Sequence, residues 1–297
     1  MAVSIEDIKK LRAMTGAGLA DVKKALTEAE GDFDKAKELL RERGLAIAAK
    51  RSDRETSNGC VLVKKVNDFA AIIALKCETD FVANGADFIK LTSDILDAAI
   101  AAKAHTLDEV KTLKVGDADA QAAVTQRSGI TGEKMELDGY CVLEGDNIEV
   151  YDHMNKHTLC TMVQLNENNE EAGHKVAMQV AAMSPKYVSR DEVSQEYMEH
   201  EKEILLAQAK KENPEKPENI IEKMIIGRLN KEMKEICLLD QVYVQDSDLT
   251  VAKYVDKVAK ENNANVTVKK FVRFETGEGL EKKVDDFAAE VAAQAGM

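Results

Sequence analysis

Glu78 and Asp80 are the one close carboxylate pair beside a strand-like run that invites an acid–base reading. Alternate positions on an extended chain face the same side, and paired carboxylates are the usual equipment of general acid–base catalysis. No histidine or metal set accompanies them, so the pair lacks the groups that would activate a substrate. His153 and His157 stand four apart, a spacing that suits a metal only on a helix. They fall instead in a predicted hairpin turn, without a cysteine or a third histidine nearby. The five cysteines, Cys60, Cys77, Cys141, Cys160 and Cys237, form no C-x-x-C pair, and four lie in apolar strand-like runs. That pattern reads as reduced, buried thiols behaving as small hydrophobes. Thr15-Gly16-Ala17-Gly18 resembles a phosphate loop only superficially, since it joins two helices rather than a strand and a helix. No serine or cysteine carries a nucleophile elbow. The sequence therefore predicts no catalytic residue, no bound metal, no cofactor and no enzymatic activity.

One further constellation remains. Thr79-Asp80-Phe81-Val82-Ala83-Asn84 lies where a strand hands over to a helix, and Thr79 or Asp80 can cap that helix. Phe81 then sits in its first turn. In a chain of 297 residues with 7 Phe and no Trp, an aromatic on such a corner is either a core plug or a binding anchor. Composition leaves both open.

The elements that must position these residues are legible from periodicity. Residues 1–44 read as three short helices. Ser4 and Asp7 make a capping signature, and Ile5, Ile8 and Leu11 form a stripe. Gly16 and Gly18 break the chain, a second helix carries Leu19, Val22, Leu26 and Ala29, and a third carries Phe33, Ala36, Leu39 and Leu40. An Ala-rich helical extension and a charged linker follow over 45–58. Val61, Val63 and Val66, then Ala70 to Leu75, read as two strands joined near Asn67–Asp68. Phe88, Leu91, Ile95 and Ala99 mark a helix behind them. A weaker copy of this strand–strand–helix plan occupies 139–183, with its turn at His153–Lys156 and its helix over 169–183. Residues 105–138 are helical and polar, and little more can be read there.

All three prolines, Pro185, Pro214 and Pro217, cluster in one window. Within it Val193, Tyr197, His200, Ile204 and Ala207 recur as a heptad seam, and Ile221, Ile225, Leu229 and Ile236 continue on a returning helix. An antiparallel coiled-coil hairpin is predicted. Strands at Val242–Val244 and 266–274, around a helix over 249–262, are expected to complete the second sheet, with a last helix over 280–293. The expected class is α+β. The predicted domains are a helical docking module at 1–55, a first core unit at 56–138 and a second at 139–188 and 237–275. The hairpin takes 189–236, and a helical C-terminal module 276–297.

A net charge of −13 disfavours direct nucleic-acid binding, which selects for a basic face. No run approaches the ~20 apolar residues of a membrane span, and the first residues show an amphipathic helix rather than a signal peptide. A cytoplasmic location is expected.

Three stretches together resemble the bacterial elongation factor Ts family: TGAGLADVKKALTEAEGD at 15–32, ETDFVAN at 78–84 and RFETGEGLEK at 273–282. The resemblance runs over essentially the whole chain and is weakest at 105–138. It implies a ubiquitin-associated-like helical bundle, a core of two related subdomains and a helical-hairpin insertion. It also implies guanine-nucleotide exchange on a partner GTPase, elongation factor Tu. By that resemblance Leu11, Arg12, Thr15, Gly16, Ala17 and Gly18 would dock on the partner's nucleotide-binding domain. Asp80, Phe81 and Val82 would carry a wedge that disturbs its magnesium region, and His153 would approach its third domain. The chain departs from the family in carrying Glu78 where glutamine is common, Val22 where cysteine is frequent, and Met154-Asn155 where a glycine-led turn is usual. Pairing of complexes through the core or the hairpin is left open. The rival reading is a scaffold or ribosome-docking protein that uses the N-terminal bundle.

Overall fold

The computed structural model describes residues 3–15, 17–51 and 53–278. The protein is α+β. Its N-terminal module holds α1 (Ile5–Thr15), α2 (Leu19–Glu28) and α3 (Phe33–Ala49). The Asp7 N–H donates to Ser4 Oγ at 3.0 Å, which makes the predicted cap. Ile8, Leu11, Val22, Ala25, Leu26 and Ala36 fill the module's small core. Ile5 and Leu19, expected inside, are 73% and 57% exposed. Each begins its helix, where the side chain projects past the edge of so small a bundle.

The first core unit opens with β1 (Asn58–Val66) and β2 (Phe69–Cys77). The two-residue turn falls at Asn67–Asp68, with Val66 opposite Phe69 and Asn67 at φ 55°, as a tight hairpin requires. Then come α4 (Asp80–Ala83), α5 (Ala86–Ala102), α6 (Leu107–Thr112) and a small hairpin of β3 (Lys114–Val115) and β4 (Ala118–Asp119). α7 (Ala120–Thr131) leads into β5 (Met135–Glu144), which pairs antiparallel with β2.

The second unit repeats the plan. β6 (Ile148–Asp152) and β7 (Leu159–Leu165) form a hairpin, followed by α8 (Glu170–Met183), α9 (Gln195–Glu212) and α10 (Glu218–Ile236). Next are the short pair β8 (Val242–Tyr243) and β9 (Asp246–Thr250), then α11 (Val251–Glu261). β10 (Val268–Glu275) returns to pair antiparallel with β7. In both units a hairpin is followed by a helical excursion, and a third strand then joins the hairpin's second strand. That shared topology is what an internal duplication would leave behind.

Two sequence readings change here. CVLEGDNIEVY (141–151), which reads as one strand of the second unit, is two strands in different sheets, because Gly145 at φ 115° and Asn147 at φ 62° break it. Val242 and its neighbours pair locally with β9 and do not extend the second sheet.

The sheets stack face to face. Along β2, Ala70, Ile72 and Ala74 face the other sheet with Ile148, Cys160 and Met162. The alternate residues Ala71, Ile73 and Leu75 pack on the helical side with Phe88, Ile95 and Val124. A strand buried on both faces reads as an unbroken apolar run, which β2 does. β7 behaves likewise, with Cys160 and Met162 inward and Val163 and Leu165 against α8 and α11.

Two joints attach the outlying parts. At the first, α3 passes α7 so closely that a Cβ on Gly129 would lie 2.3 Å from Gly44 Cα. At the second, buried Gln179 and Gln241 lock the base of the arm. Gln179 Nε2 donates to Gln241 Oε1 and the Val242 carbonyl, both at 3.1 Å, and its Oε1 accepts from the Val244 N–H at 2.9 Å. Gln241 Nε2 donates to the carbonyls of Met183 and Glu235. Within the arm the seam on α9 is displaced from the expected register. Leu205, Leu206 and Ala209 meet Ile221, Ile225 and Leu229, while His200, Ile204 and Ala207 face solvent.

Glycine changes should separate joint from arm. Gly129→Ala is expected to destabilise by about 1–3 kcal/mol, because a backbone-to-backbone clash must be relieved. Gly227 lies inside α10 with nothing within 4 Å of an added Cβ, so Gly227→Ala should stabilise by about 0.5–1 kcal/mol. Urea unfolding monitored by circular dichroism reads both.

Candidate functional site

β2 ends at Cys77, and the chain turns a corner into α4. Thr79 is its N-cap: its Oγ1 accepts from the Val82 N–H at 3.3 Å. The same threonine is gripped from outside the corner, its N–H donating to Glu133 Oε2 at 3.0 Å and its hydroxyl to Glu133 Oε1 at 2.6 Å. Glu78 is held just as firmly. Its carboxylate accepts from the Lys134 N–H at 2.6 Å and pairs with Arg54 at 3.1 Å. Its carbonyl accepts from Asn58 Nδ2 at 3.0 Å. On the far side, Asn84 closes the turn with bonds from its N–H and Nδ2 to the Asp80 carbonyl at 2.9 and 2.8 Å. Val82 and Ala83 pack into the first core unit.

What this lattice of bonds presents is Phe81, 88% exposed and the most exposed large apolar side chain among the described residues. The choice between core plug and anchor is thereby settled against the plug. The Asp80 side chain stands beside it at the surface. Of the pair Glu78 and Asp80, Glu78 is engaged in structural bonds with the Lys134 N–H and Arg54. Burial opposes ionisation of Glu78, and the Lys134 N–H and Arg54 more than offset it, so its carboxyl is held below the usual glutamate value.

The other candidate residues fall on two more surfaces. In the N-terminal module Leu11 is fully buried and Ala17 nearly so, so both shape the turn from inside. Thr15 is half-buried, and its hydroxyl donates to the Leu11 carbonyl at 2.8 Å. Arg12 and Gly18 are exposed, and Gly16 lies outside the described residues. Met14 (54%) and Leu19 (57%) are exposed in this module as well; the sequence reading did not single out Met14 and placed Leu19 inside. Met14 lies off the apolar stripe of α1, and that was the available signal.

His153 is exposed on the turn between β6 and β7, its Nδ1 2.9 Å from the Tyr151 hydroxyl. The Tyr151 ring meets His174 edge-on at 5.4 Å. Met154, Asn155 and His157 all adopt positive φ, which is costly for non-glycine residues. Asp152 holds the turn through the His157 N–H at 3.1 Å and its ring, and the His157 carbonyl accepts from the Val61 N–H at 2.7 Å. His153 and His157 therefore have separate roles. Among the described residues no group of three or more His, Cys, Asp or Glu is placed to hold a metal, and no helix is long and apolar enough to cross a membrane. Cys60, Cys77 and Cys160 are buried, and burial raises the Cys60 and Cys77 thiols to about 12, well away from reactivity. The three surfaces therefore present exposed side chains on a scaffold held by hydrogen bonds.

The chain is similar to proteins of one family. The family model described as elongation factor TS matches residues 78–278. Elongation factor Ts of Bacteroides fragilis is 47% identical, covering 92% of this chain and 98% of the relative. That of Parabacteroides distasonis is 44% identical, over 88% and 96%. That of Clostridium botulinum is 41% identical, over 99% of each.

The held carboxylate predicts a pH dependence. A depressed folded-state pKa means that Glu78 contributes stability above the ordinary glutamate value of 4.5, lost as the pH falls through the lowered folded value. Glu78→Gln should therefore be less stable than the parent at neutral pH, with the gap closing below about pH 4.5. Urea midpoints of both proteins across pH 3–7, on the order of one per half unit, measure it.

Proposed function

The chain belongs to the elongation factor Ts family, and on that premise we propose that it is a guanine-nucleotide exchange factor for elongation factor Tu. It acts by binding rather than by catalysis. The observation that carries this reading is Phe81: a bulky apolar side chain held out into solvent on a corner that at least six hydrogen bonds rigidify. A ring presented so rigidly is available for burial by a partner, and buried aromatic anchors dominate the energy of protein interfaces.

The mechanism is one of linkage. A factor that binds the GTPase better without nucleotide than with it must lower nucleotide affinity by the same ratio, about 1.4 kcal/mol for each tenfold. Burial of an exposed phenylalanine is worth roughly 1.5–3 kcal/mol, which is one or two decades. Phe81, flanked by Asp80 and Val82, is the wedge that disturbs the partner's magnesium and phosphate contacts. The first helix and the turn after it, with Arg12, Thr15 and Gly18 and the exposed Met14 and Leu19, hold the nucleotide-binding domain meanwhile, and His153 with exposed Met154 supplies a second anchor. Magnesium belongs to the partner. The partner surface is protein, consistent with a chain of net charge −13.

Stopped-flow release of fluorescent GDP from a bacterial elongation factor Tu tests this. The full chain should accelerate release saturably. Phe81→Ala should lower the plateau rate roughly ten- to a hundredfold, the burial energy converted to rate. Absence of acceleration by the parent protein would overturn the exchange reading. An unchanged plateau in Phe81→Ala would overturn the wedge alone.

A further inference from the structure

We infer that Glu133 is a positioning residue for exchange: it fixes the direction in which Phe81 points, and it ties that corner to the end of α7. The inference rests on the exchange reading above and adds to it a residue that acts through the Phe81 corner.

The geometry is local and complete. A two-atom grip by Glu133 on the Thr79 N–H and hydroxyl, at 3.0 and 2.6 Å, leaves Thr79 Oγ1 free to accept only from the side facing α4. It does so from the Val82 N–H. Hydrogen bonds to a carboxylate are among the stronger ones, so Glu133 sets the orientation of the cap, and the cap sets the first turn that carries Phe81. Glu133 is itself held from behind. Its N–H donates to Thr131 Oγ1 at 3.2 Å, and its carbonyl accepts from Ser128 Oγ at 2.5 Å. Next to it the Lys134 N–H binds Glu78. The turn at 131–134 is thus a bracket that meets residues 78 and 79 at successive positions.

The bracket also reaches toward the N-terminal module. Gly132, at φ 77°, sits against the Arg51 guanidinium, where a Cβ would come within 2.9 Å. Arg54 pairs with Glu78 from the same linker, and α3 crosses α7 at Gly44 and Gly129. One turn therefore sets the corner in fixed relation to the helices that carry the docking face. Wedge and docking face can then act on the GTPase together, without loss of conformational freedom on binding.

The test is a double-mutant cycle in the GDP-release assay with the full chain: parent, Glu133→Ala, Phe81→Ala and the double variant, each titrated to saturation. Glu133→Ala should lower the plateau rate roughly five- to tenfold, the cost of losing a charged pair of bonds that orients the corner. The half-saturating concentration should stay within about twofold, because docking is untouched. Glu133→Gln, which keeps one acceptor oxygen for the Thr79 N–H, should recover part of the loss. In the Phe81→Ala background Glu133→Ala should cost nothing further, since its effect passes through that ring. An undiminished plateau in Glu133→Ala overturns the inference. So does a loss of equal size with and without Phe81, or a loss confined to the half-saturating concentration. If Glu133→Ala does not fold by circular dichroism, Glu133→Gln carries the cycle by the same criteria. Loss in Phe81→Ala without loss at Glu133 refutes this inference and spares the wedge, whereas no loss in Phe81→Ala refutes both.

Discussion

Burial of β2 on both its faces is the constraint from which the rest of the molecule is hung. Its odd-numbered residues pack under the helices of the first unit, and its even-numbered residues pack against the second sheet. A strand in that position tolerates no slip, because a one-residue shift would exchange the two sets. Its ends are therefore fixed in space. The C-terminal end delivers the Thr79–Phe81 corner. The neighbouring strand β1 carries the Val61 N–H that donates to the His157 carbonyl, and the Val61 carbonyl that accepts from the Cys160 thiol at 3.2 Å. The histidine turn is thus pinned to the same sheet that ends in the Phe81 corner.

Exposure of Phe81 makes sense only against that rigidity. A phenylalanine on a mobile loop would fold back on the nearest apolar surface and would lose side-chain freedom again when a partner arrived. Here capping, the Asn84 bonds and the Glu78 and Glu133 carboxylates hold the backbone, and the half-buried Val82 and buried Ala83 occupy the inward side. The histidine turn uses a different device: three non-glycine residues at positive φ, stabilised by the Asp152 carboxylate. In both places local strain or exposure is compensated by charged bonds from the scaffold.

Much of this was legible in the sequence, for identifiable reasons. The run from Ala70 to Leu75, the Asn67–Asp68 turn and the Thr79 cap are local signals, and all three are found where periodicity and capping rules put them. The corner could be located, but its outward ring could not, because exposure depends on what lies across from it. Glu133 was invisible for a similar reason. It sits 54 residues from Thr79 in a segment without periodicity, and a carboxylate there has no sequence signature. Gly145-Asp146-Asn147 was a readable break that the apolar flanks concealed, so two strands of different sheets looked like one. On α9 a heptad count starting from Val193 puts Tyr197 against α10, where its hydroxyl donates to Glu232 at 2.7 Å, but past that point the buried seam runs through Leu205, Leu206 and Ala209 instead of Ile204 and Ala207.

The arm illustrates how polar groups can specify geometry where apolar area is scarce. Its own seam buries Ala209, Ile221 and Ile225, a core too small to dictate how the hairpin leaves the body. Gln179 and Gln241 do that instead. Each amide has both its hydrogens donated and its oxygen accepting, on partners drawn from α8, the end of α10 and the β8 region. Leaving any one of those groups unpaired would cost about 1–3 kcal/mol. An alternative seating of the arm would have to break several at once. Apolar packing at the base would have been satisfied by a range of angles, whereas two interlocked amides are satisfied by one. The direction of the arm is therefore set by hydrogen-bond complementarity, and its length by the ENPEKPEN turn, where Pro214 and Pro217 end one helix and start the next.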